Sequence, residues 1–255
     1  MTHPIALAAG CALDVDAATL ISAAGAAGFD AVGLRASAEH VVADPDAVAA
    51  AAATAGVSIH DVEVHRIGTD RTGDAHLVDV AHAIGAAAVL TVSDVALDDD
   101  TIRELAALTE RCRAFGLTLG LEYMEWTHPR TPDAAIEVAL VTGCRLVVDV
   151  LHHTRVGAGV AELRAIVDAG VLGWVQVCDA PPLPPDSDGL VHEARHQRLP
   201  PGEGGLPVAA LLAEVPDGVV VSVEVQSDRL AAELDGAARA QRLFDATVGV
   251  VNHRG

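Results

Sequence analysis

Lysine is absent from this chain: all sixteen basic residues among its 255 are arginine. Schiff-base chemistry and a lysine general base are therefore excluded. Positive charge is scarce altogether. Against 36 acidic residues the formal net charge is −20, which repels phosphate backbones and anionic lipid and argues against nucleic-acid or membrane partners. The four cysteines, Cys11, Cys112, Cys144 and Cys178, have no CxxC spacing. They fit reduced thiols in a cytoplasmic protein better than disulfides or a zinc knuckle. No uncharged apolar run approaches membrane-spanning length, and the N-terminus lacks the basic start and apolar stretch of a signal peptide. The expectation is a soluble cytoplasmic protein whose partner is a small molecule, neutral or metal-chelating.

What is present is a hydrophobic fraction of 51%, enough for a large core, and a length usual for one α/β barrel. Short apolar runs recur near residues 4–9, 31–35, 57–64, 87–92, 117–123, 145–151, 173–178 and 218–225. Between them lie Ala-rich segments with acidic or small polar starts, such as Asp16 to Gly28, Asp44 to Gly56, Asp98 to Phe115 and Asp228 to Thr247, several of them closed by glycine. Eight strands alternating with helices predict an α/β single-domain (β/α)8 TIM barrel spanning residues 1–255, parallel by the crossover rule. The stretch from Ala180 to Gly205, which contains PPLPPDSDG and RLPPGEGG, is too long for an ordinary connection and reads as a lid loop over the barrel mouth.

Four polar residues stand out because each sits near the end of an apolar run. They are Glu122 in TLGLEYME, Asp149 in RLVVDVLHH, Gln176 in GWVQVCD and Glu224 in VVVSVEVQ. Strand ends deliver side chains to the open face of a barrel, where such folds keep their chemistry. A carboxylate inside a β-branched run costs several kcal/mol unless it is paired or bound to a cation. Four at matching positions on consecutive runs share one explanation, a divalent metal. Side-chain alternation places Gly120, Glu122 and Met124 on the inward face of one strand and Leu119, Leu121 and Tyr123 on the outward face. Three carboxylates and one amide oxygen make an all-oxygen set, which favours Mn²⁺ first, with Mg²⁺ or Co²⁺ as alternatives, over zinc.

On these residues the chain resembles the xylose-isomerase-like TIM barrels, the superfamily of sugar isomerases and epimerases. The resemblance rests on the Glu of LEYMEW, the DxxH of Asp149 to His152, the QxxD of Gln176 to Asp179, the RLPPGEG stretch from Arg198 and the Glu of VEV. It implies that Glu122, Asp149, Gln176 and Glu224 bind one metal, and that Glu122 and Glu224 also act as acid and base. His152 and Arg198 would contact substrate oxygens. Asp179, Trp126, Glu63 and His65 are further candidates for substrate contact, while Glu203 and Arg155 have less support. Many members carry His where this chain has Gln176. The implied reaction is isomerisation or epimerisation of a small ketose, keto-polyol or hydroxy-keto acid through an enediolate. The alternatives are a dehydratase or lyase on a cyclic keto-polyol, and a non-catalytic sugar-binding barrel or subunit of a larger enzyme. Homo-oligomerisation is expected from family habit.

Overall fold

Acidic caps and glycines set the helix ends where the sequence supplies them. In the computed structural model, which describes residues 3–36, 44–68 and 76–252, the Asp16 carboxylate accepts from the Thr19 N–H to open α1 (Ala17–Ala27), and Gly28 closes it at φ 98°. Asp44 and Gly56 do the same for α2 (Pro45–Ala55), and Asp98 opens α4 (Asp99–Ala114). A side-chain acceptor satisfies an otherwise orphaned N–H, and glycine alone enters the left-handed region without a Cβ penalty. Between α2 and α4 lies the shorter α3 (Leu77–Ala83).

The strands are β1 (Ile5–Leu7), β2 (Ala31–Arg35), β3 (Ser58–Ile67), β4 (Ala88–Ser93), β5 (Thr118–Glu122), β6 (Arg145–Asp149), β7 (Leu172–Val177) and β8 (Val221–Val223). They form a closed parallel barrel in sequence order, with β1 paired to β8. The remaining helices are α5 (Pro132–Thr142), α6 (Val150–Arg155), α7 (Val160–Asp168), α8 (Leu190–His196), α9 (Val208–Leu212), α10 (Asp228–Glu233) and α11 (Gly236–Asn252). No described helix is long and apolar enough to cross a membrane.

Three expectations are refined. The sixth strand stops at Asp149 instead of running to residue 151, because the Asp149 carboxylate accepts from the Leu151 and His152 N–H groups and turns the chain straight into α6. The helix expected from Asp228 to Thr247 is two helices, since Leu234 is extended and Asp235 caps a fresh start by accepting from Ala238 N–H. The segment from Ala180 to Gly205 contains a 3-10 turn (Ser187–Gly189) and α8. It is pinned by antiparallel bridges pairing Asp179 with Leu199 and Gln197 with Ser227.

The core has two compartments. Leu119, Leu121, Val175, Val177, Val221 and Val223 point outward and pack beneath the helices. Ala88, Leu90, Val92, Met124, Val147 and Trp174 fill the barrel interior under the open end. Trp174 fits only because position 120 is glycine, where a Cβ would run into its ring and into the Val147 methyl 2.7 Å away. Interiors are close-packed, so an added methyl has to displace something. Gly120→Ala is expected to cost roughly 1–3 kcal/mol, the usual cost of overpacking, read as a lowered midpoint in thermal or urea unfolding. An unchanged midpoint would mean that the indole moves without cost.

Candidate active site

Glu122 ends β5, Asp149 ends β6, Gln176 lies on β7 with its Cα paired to that of Asp149, and Glu224 follows β8 directly. All four are buried, at 6%, 2%, 1% and 5% exposure. The four residues that the strand-end pattern singled out thus lie buried at the same end of the barrel. At their centre stands Arg198, 2% exposed. One of its terminal nitrogens donates to Asp149 Oδ2 at 2.6 Å and to the Glu224 carbonyl at 3.1 Å, and lies 3.4 Å from Glu224 Oε2. The other lies 3.3 Å from His152 Nε2, and Nε donates to the Ala194 carbonyl at 2.7 Å. A buried guanidinium is tolerated only with such partners.

Glu122, Asp149 and His152 offer ligand atoms within 4.8 Å of one another. His152 Nε2 lies 3.8 Å from Glu122 Oε1, and its ring meets that of Trp126 edge-on at 5.0 Å. His152 therefore joins the cluster from the first turn of α6, a position set by the Asp149 cap. The Gln176 amide oxygen is buried without a hydrogen-bond partner among the described residues. A buried acceptor left unsatisfied is costly, and a bound cation would satisfy this one. Glu122, Asp149 and neutral His152 form a donor group suited to a divalent ion, and Glu224 lies outside it.

The electrostatics point the same way. Burial pushes the Glu122 carboxyl well above the ordinary carboxylate range, and the charges of Glu224 and Asp149 add to it. Burial raises Glu224 to about 7; Arg198 restrains the rise while Glu63 and Asp149 add to it. Asp149 is held low despite its burial by Arg198, His152 and their hydrogen bonds. Burial lowers His152 to about 4, so its ring is neutral at pH 7.

Above the cluster opens a cavity of about 480 Å³ lined by Glu63, Glu122, Trp126, His152, Arg198 and Glu224, among others. Two expected contact residues lie elsewhere. His65 is not in the cavity wall, and its Nδ1 lies 3.1 Å from Thr91 Oγ1. Asp179 spends both oxygens on backbone, accepting from Ala180, Leu206 and Gly202 N–H groups at 2.9, 2.9 and 3.0 Å. It fastens the loop that follows β7. Arg155 clamps Glu193 through two nitrogens at 2.8 and 2.7 Å and reaches the Pro181 carbonyl. Glu203 pairs with Arg242.

Sequence reasoning missed Arg35, Arg195 and Gln226 in the cavity wall. Arg35 ends β2, so the strand-end rule that picked out Glu122 applies to it equally. Gln226 donates to Glu224 Oε1 at 3.3 Å. Arg195 lies on α8, within the segment that read as irregular, and had no pattern to reveal it.

With Glu224 titrating near 7 in the folded protein and near 4.5 when unfolded, the native state binds the extra proton between those values. Stability from this group is therefore greatest at low pH and falls as pH rises from 4.5 to 7, by up to about 1.4 kcal/mol per pH unit. In chelator-treated protein, wild type should lose stability relative to Glu224→Gln across that window, measured by urea unfolding. Parallel curves would show that Glu224 titrates normally. Comparison with the variant also cancels the opposite slope of buried His152 and His60, whose pKa values are both lowered to about 4.

The family model described as the xylose isomerase-like TIM barrel matches residues 21–247. Among solved structures, a xylose isomerase-like TIM barrel/4-hydroxyphenylpyruvate dioxygenase fusion protein superposes with TM-score 0.83 at 22% identity, over 99% of this chain and 43% of that one. The chain thus spans less than half the length of that relative. IolI protein with a bound zinc atom superposes with TM-score 0.83 at 17% identity over 99% of both chains. L-ribulose 3-epimerase superposes with TM-score 0.73 at 16% identity, over 99% of this chain and 95% of that one. At such identities these likenesses speak to the fold alone. No curated protein matches the sequence.

Proposed function

The chain belongs to the xylose isomerase-like TIM-barrel family, and we propose that it is a divalent-metal-dependent isomerase or epimerase of a small ketose, keto-polyol or hydroxy-keto acid. The observation that carries this reading is the pair Glu122 and Glu224, two buried carboxyls with raised pKa values at the wall of one cavity. Such a pair suits delivery and removal of a proton at one carbon near neutral pH. The names of similar folds, an L-ribulose 3-epimerase and a zinc-bound IolI protein, support it as well.

Glu122, Asp149, Gln176 and Glu224 would hold the metal, with His152 close enough to join them; Mn²⁺ is the first choice from the oxygen-rich set, and zinc is the ion named for the IolI protein. A divalent ion there supplies Lewis-acid stabilisation of the negative charge that builds on a substrate oxygen as the neighbouring C–H proton departs. Glu122 and Glu224 take the acid and base roles between them. His152 and Arg198 hold substrate oxygens by hydrogen bonds, and Trp126 and Met124 give the cavity an apolar wall. The segment from Ala180 to Gly205 serves as its cover, contributing Ala194, Arg195, His196 and Arg198 to the lining. Excluding water there strengthens each of these interactions.

Glu122→Gln and Glu224→Gln are each expected to lower kcat by roughly 10²–10⁴-fold, the usual worth of a positioned acid or base, with circular dichroism unchanged. Retained turnover in either would remove the two-carboxylate mechanism. Asp149→Ala is expected to weaken Mn²⁺ binding in a calorimetric titration, and an unchanged titration would take Asp149 out of the ligand set. Proton NMR in D₂O with ketoses, inososes and hydroxy-keto acids should show deuterium entering beside the carbonyl without loss of water. A dehydrated product would replace this reading with a lyase.

A further inference from the structure

Glu224 lies just past the end of its strand. β8 stops at Val223, whose Cα pairs with that of Leu7, and residues 224–226 belong to no helix or strand. The Glu224 N–H still reaches the Val177 carbonyl at 2.9 Å, but the next main-chain donor, the Val225 N–H, has no partner in the sheet. Its partner comes from the turn that follows β1. There the chain makes a tight 3-10 turn (Ala9–Ala12), with the Cys11 N–H donating to the Ala8 carbonyl at 3.1 Å. The turn sets the Cys11 thiol against the end of β8, where Sγ donates to the Val223 carbonyl and accepts from the Val225 N–H, both at 3.2 Å. One sulfur thus bonds the main chain on both sides of Glu224. Cys11 and Val225 are buried, and among the described residues the sulfur is the only acceptor for that N–H. A thiol bond is weak, yet a buried N–H stripped of its acceptor is costly, so the chain is held where the sulfur is.

The neighbouring residue of the same turn faces the carboxylate itself. A Cβ on Gly10 would stand 2.8 Å from Glu224 Oε1 and 3.0 Å from Gln226 Nε2, the two atoms that bond each other at 3.3 Å. Bare backbone at this position lets the turn approach that closely. The other oxygen, Oε2, has Arg198 at 3.4 Å. We infer that the Gly10–Cys11 turn is a positioning device for Glu224: the Cys11 thiol fixes the main chain on either side of it, and the missing side chain of Gly10 leaves the place its carboxylate occupies. This deepens the isomerase reading and rests on it for the role of Glu224 in the acid–base pair. Proton transfer works only within hydrogen-bond reach of the reacting carbon, so a carboxyl carried on chain beyond the sheet needs a hold of this kind. Cys11 and Gly10 act through Glu224 and are not catalytic residues themselves.

Three variants test it. Cys11→Ala removes both sulfur bonds, Cys11→Ser keeps a donor and an acceptor, and Gly10→Ala presses on the carboxylate without touching the thiol. Turnover is followed on Mn²⁺-loaded protein as deuterium entry in D₂O with L-ribulose, an inosose and hydroxypyruvate. Cys11→Ala is expected to lower kcat by roughly 10–100-fold with KM little changed, the effect of misplacing a reacting group by up to about 1 Å, and Cys11→Ser to recover most of the loss. Gly10→Ala is expected to lower kcat by a similar factor while its unfolding midpoint stays near that of wild type, because the nearest atoms in the way are the ends of flexible side chains. Amide exchange by NMR needs neither substrate nor metal: the Val225 N–H should exchange at least about 10-fold faster in Cys11→Ala than in wild type or Cys11→Ser. Wild-type kcat in Cys11→Ala or Gly10→Ala, equal losses in Cys11→Ala and Cys11→Ser, or unchanged Val225 exchange in Cys11→Ala would each overturn the inference. If Cys11→Ala does not fold, the kcat of Gly10→Ala at an unchanged midpoint decides alone. A wild type that turns over none of the probes would count against the isomerase reading, and Val225 exchange with the crystallographic position of the Glu224 carboxylate in Gly10→Ala would then decide the positioning role, so the two fail separately.

Discussion

The open end of the barrel depends on one guanidinium. Arg198 is almost wholly buried, and around it stand Asp149, Glu224 and the imidazole of His152, with the Ala194 and Glu224 carbonyls completing its hydrogen bonds. Without a cation at that place, Glu122, Asp149 and Glu224 would confront one another in a low-dielectric setting where none could readily ionise. With it, Asp149 is held low and the rise of Glu224 is restrained to about 7, while burial and the charges of Glu224 and Asp149 push Glu122 well above the ordinary carboxylate range. Burial raises Glu122 and Glu224, and the buried charge of Arg198 opposes it, most effectively at Asp149, so the three carboxyl groups differ in proton affinity.

That guanidinium also joins the cluster to the segment from Ala180 to Gly205. Arg198 follows α8, and its Nε bond to Ala194 ties it back to that helix. Asp179 holds the far side of the same segment by three backbone N–H groups, and Arg155 clamps Glu193 of α8 to the helix that carries His152. A segment rich in proline, with little apolar surface of its own, acquires order by being fastened at charged points. The segment from Ala180 to Gly205 and the buried charged cluster thus share Arg198, and displacing one disturbs the charge balance of the other.

The fold was legible in the sequence because its signals are local. Alternation in TLGLE and RLVVD, acidic caps at Asp16, Asp44 and Asp98, and terminal glycines at Gly28 and Gly56 each act within a few residues. The strand-end positions of Glu122, Asp149, Gln176 and Glu224 were legible for the same reason. Roles fixed by distant partners were not. Whether Asp179 turns toward a ligand or toward backbone depends on where Gly202 and Leu206 arrive, over twenty residues later. His65 likewise engages Thr91 on the neighbouring strand. The break between α10 and α11 was missed because helix propensity across Ala231 to Ala240 is high, and one capping aspartate, Asp235, outweighs it.

Asp149 shows why local and functional signals can coincide in one residue. One carboxylate oxygen caps α6, so the turn that ends β6 exists because of it, and the other oxygen faces Arg198 and the ligand cluster. Replacing such a residue alters the geometry that places His152 as well as the charge. The amide oxygen of Gln176, its Cα partner on β7, has no hydrogen bond among the described residues. A buried acceptor without a partner, paired across the sheet with Asp149, is a local cost that the rest of the barrel absorbs. Natural folds tolerate such costs mainly where binding or catalysis recovers them, and here they concentrate at the end of the barrel where the cavity opens.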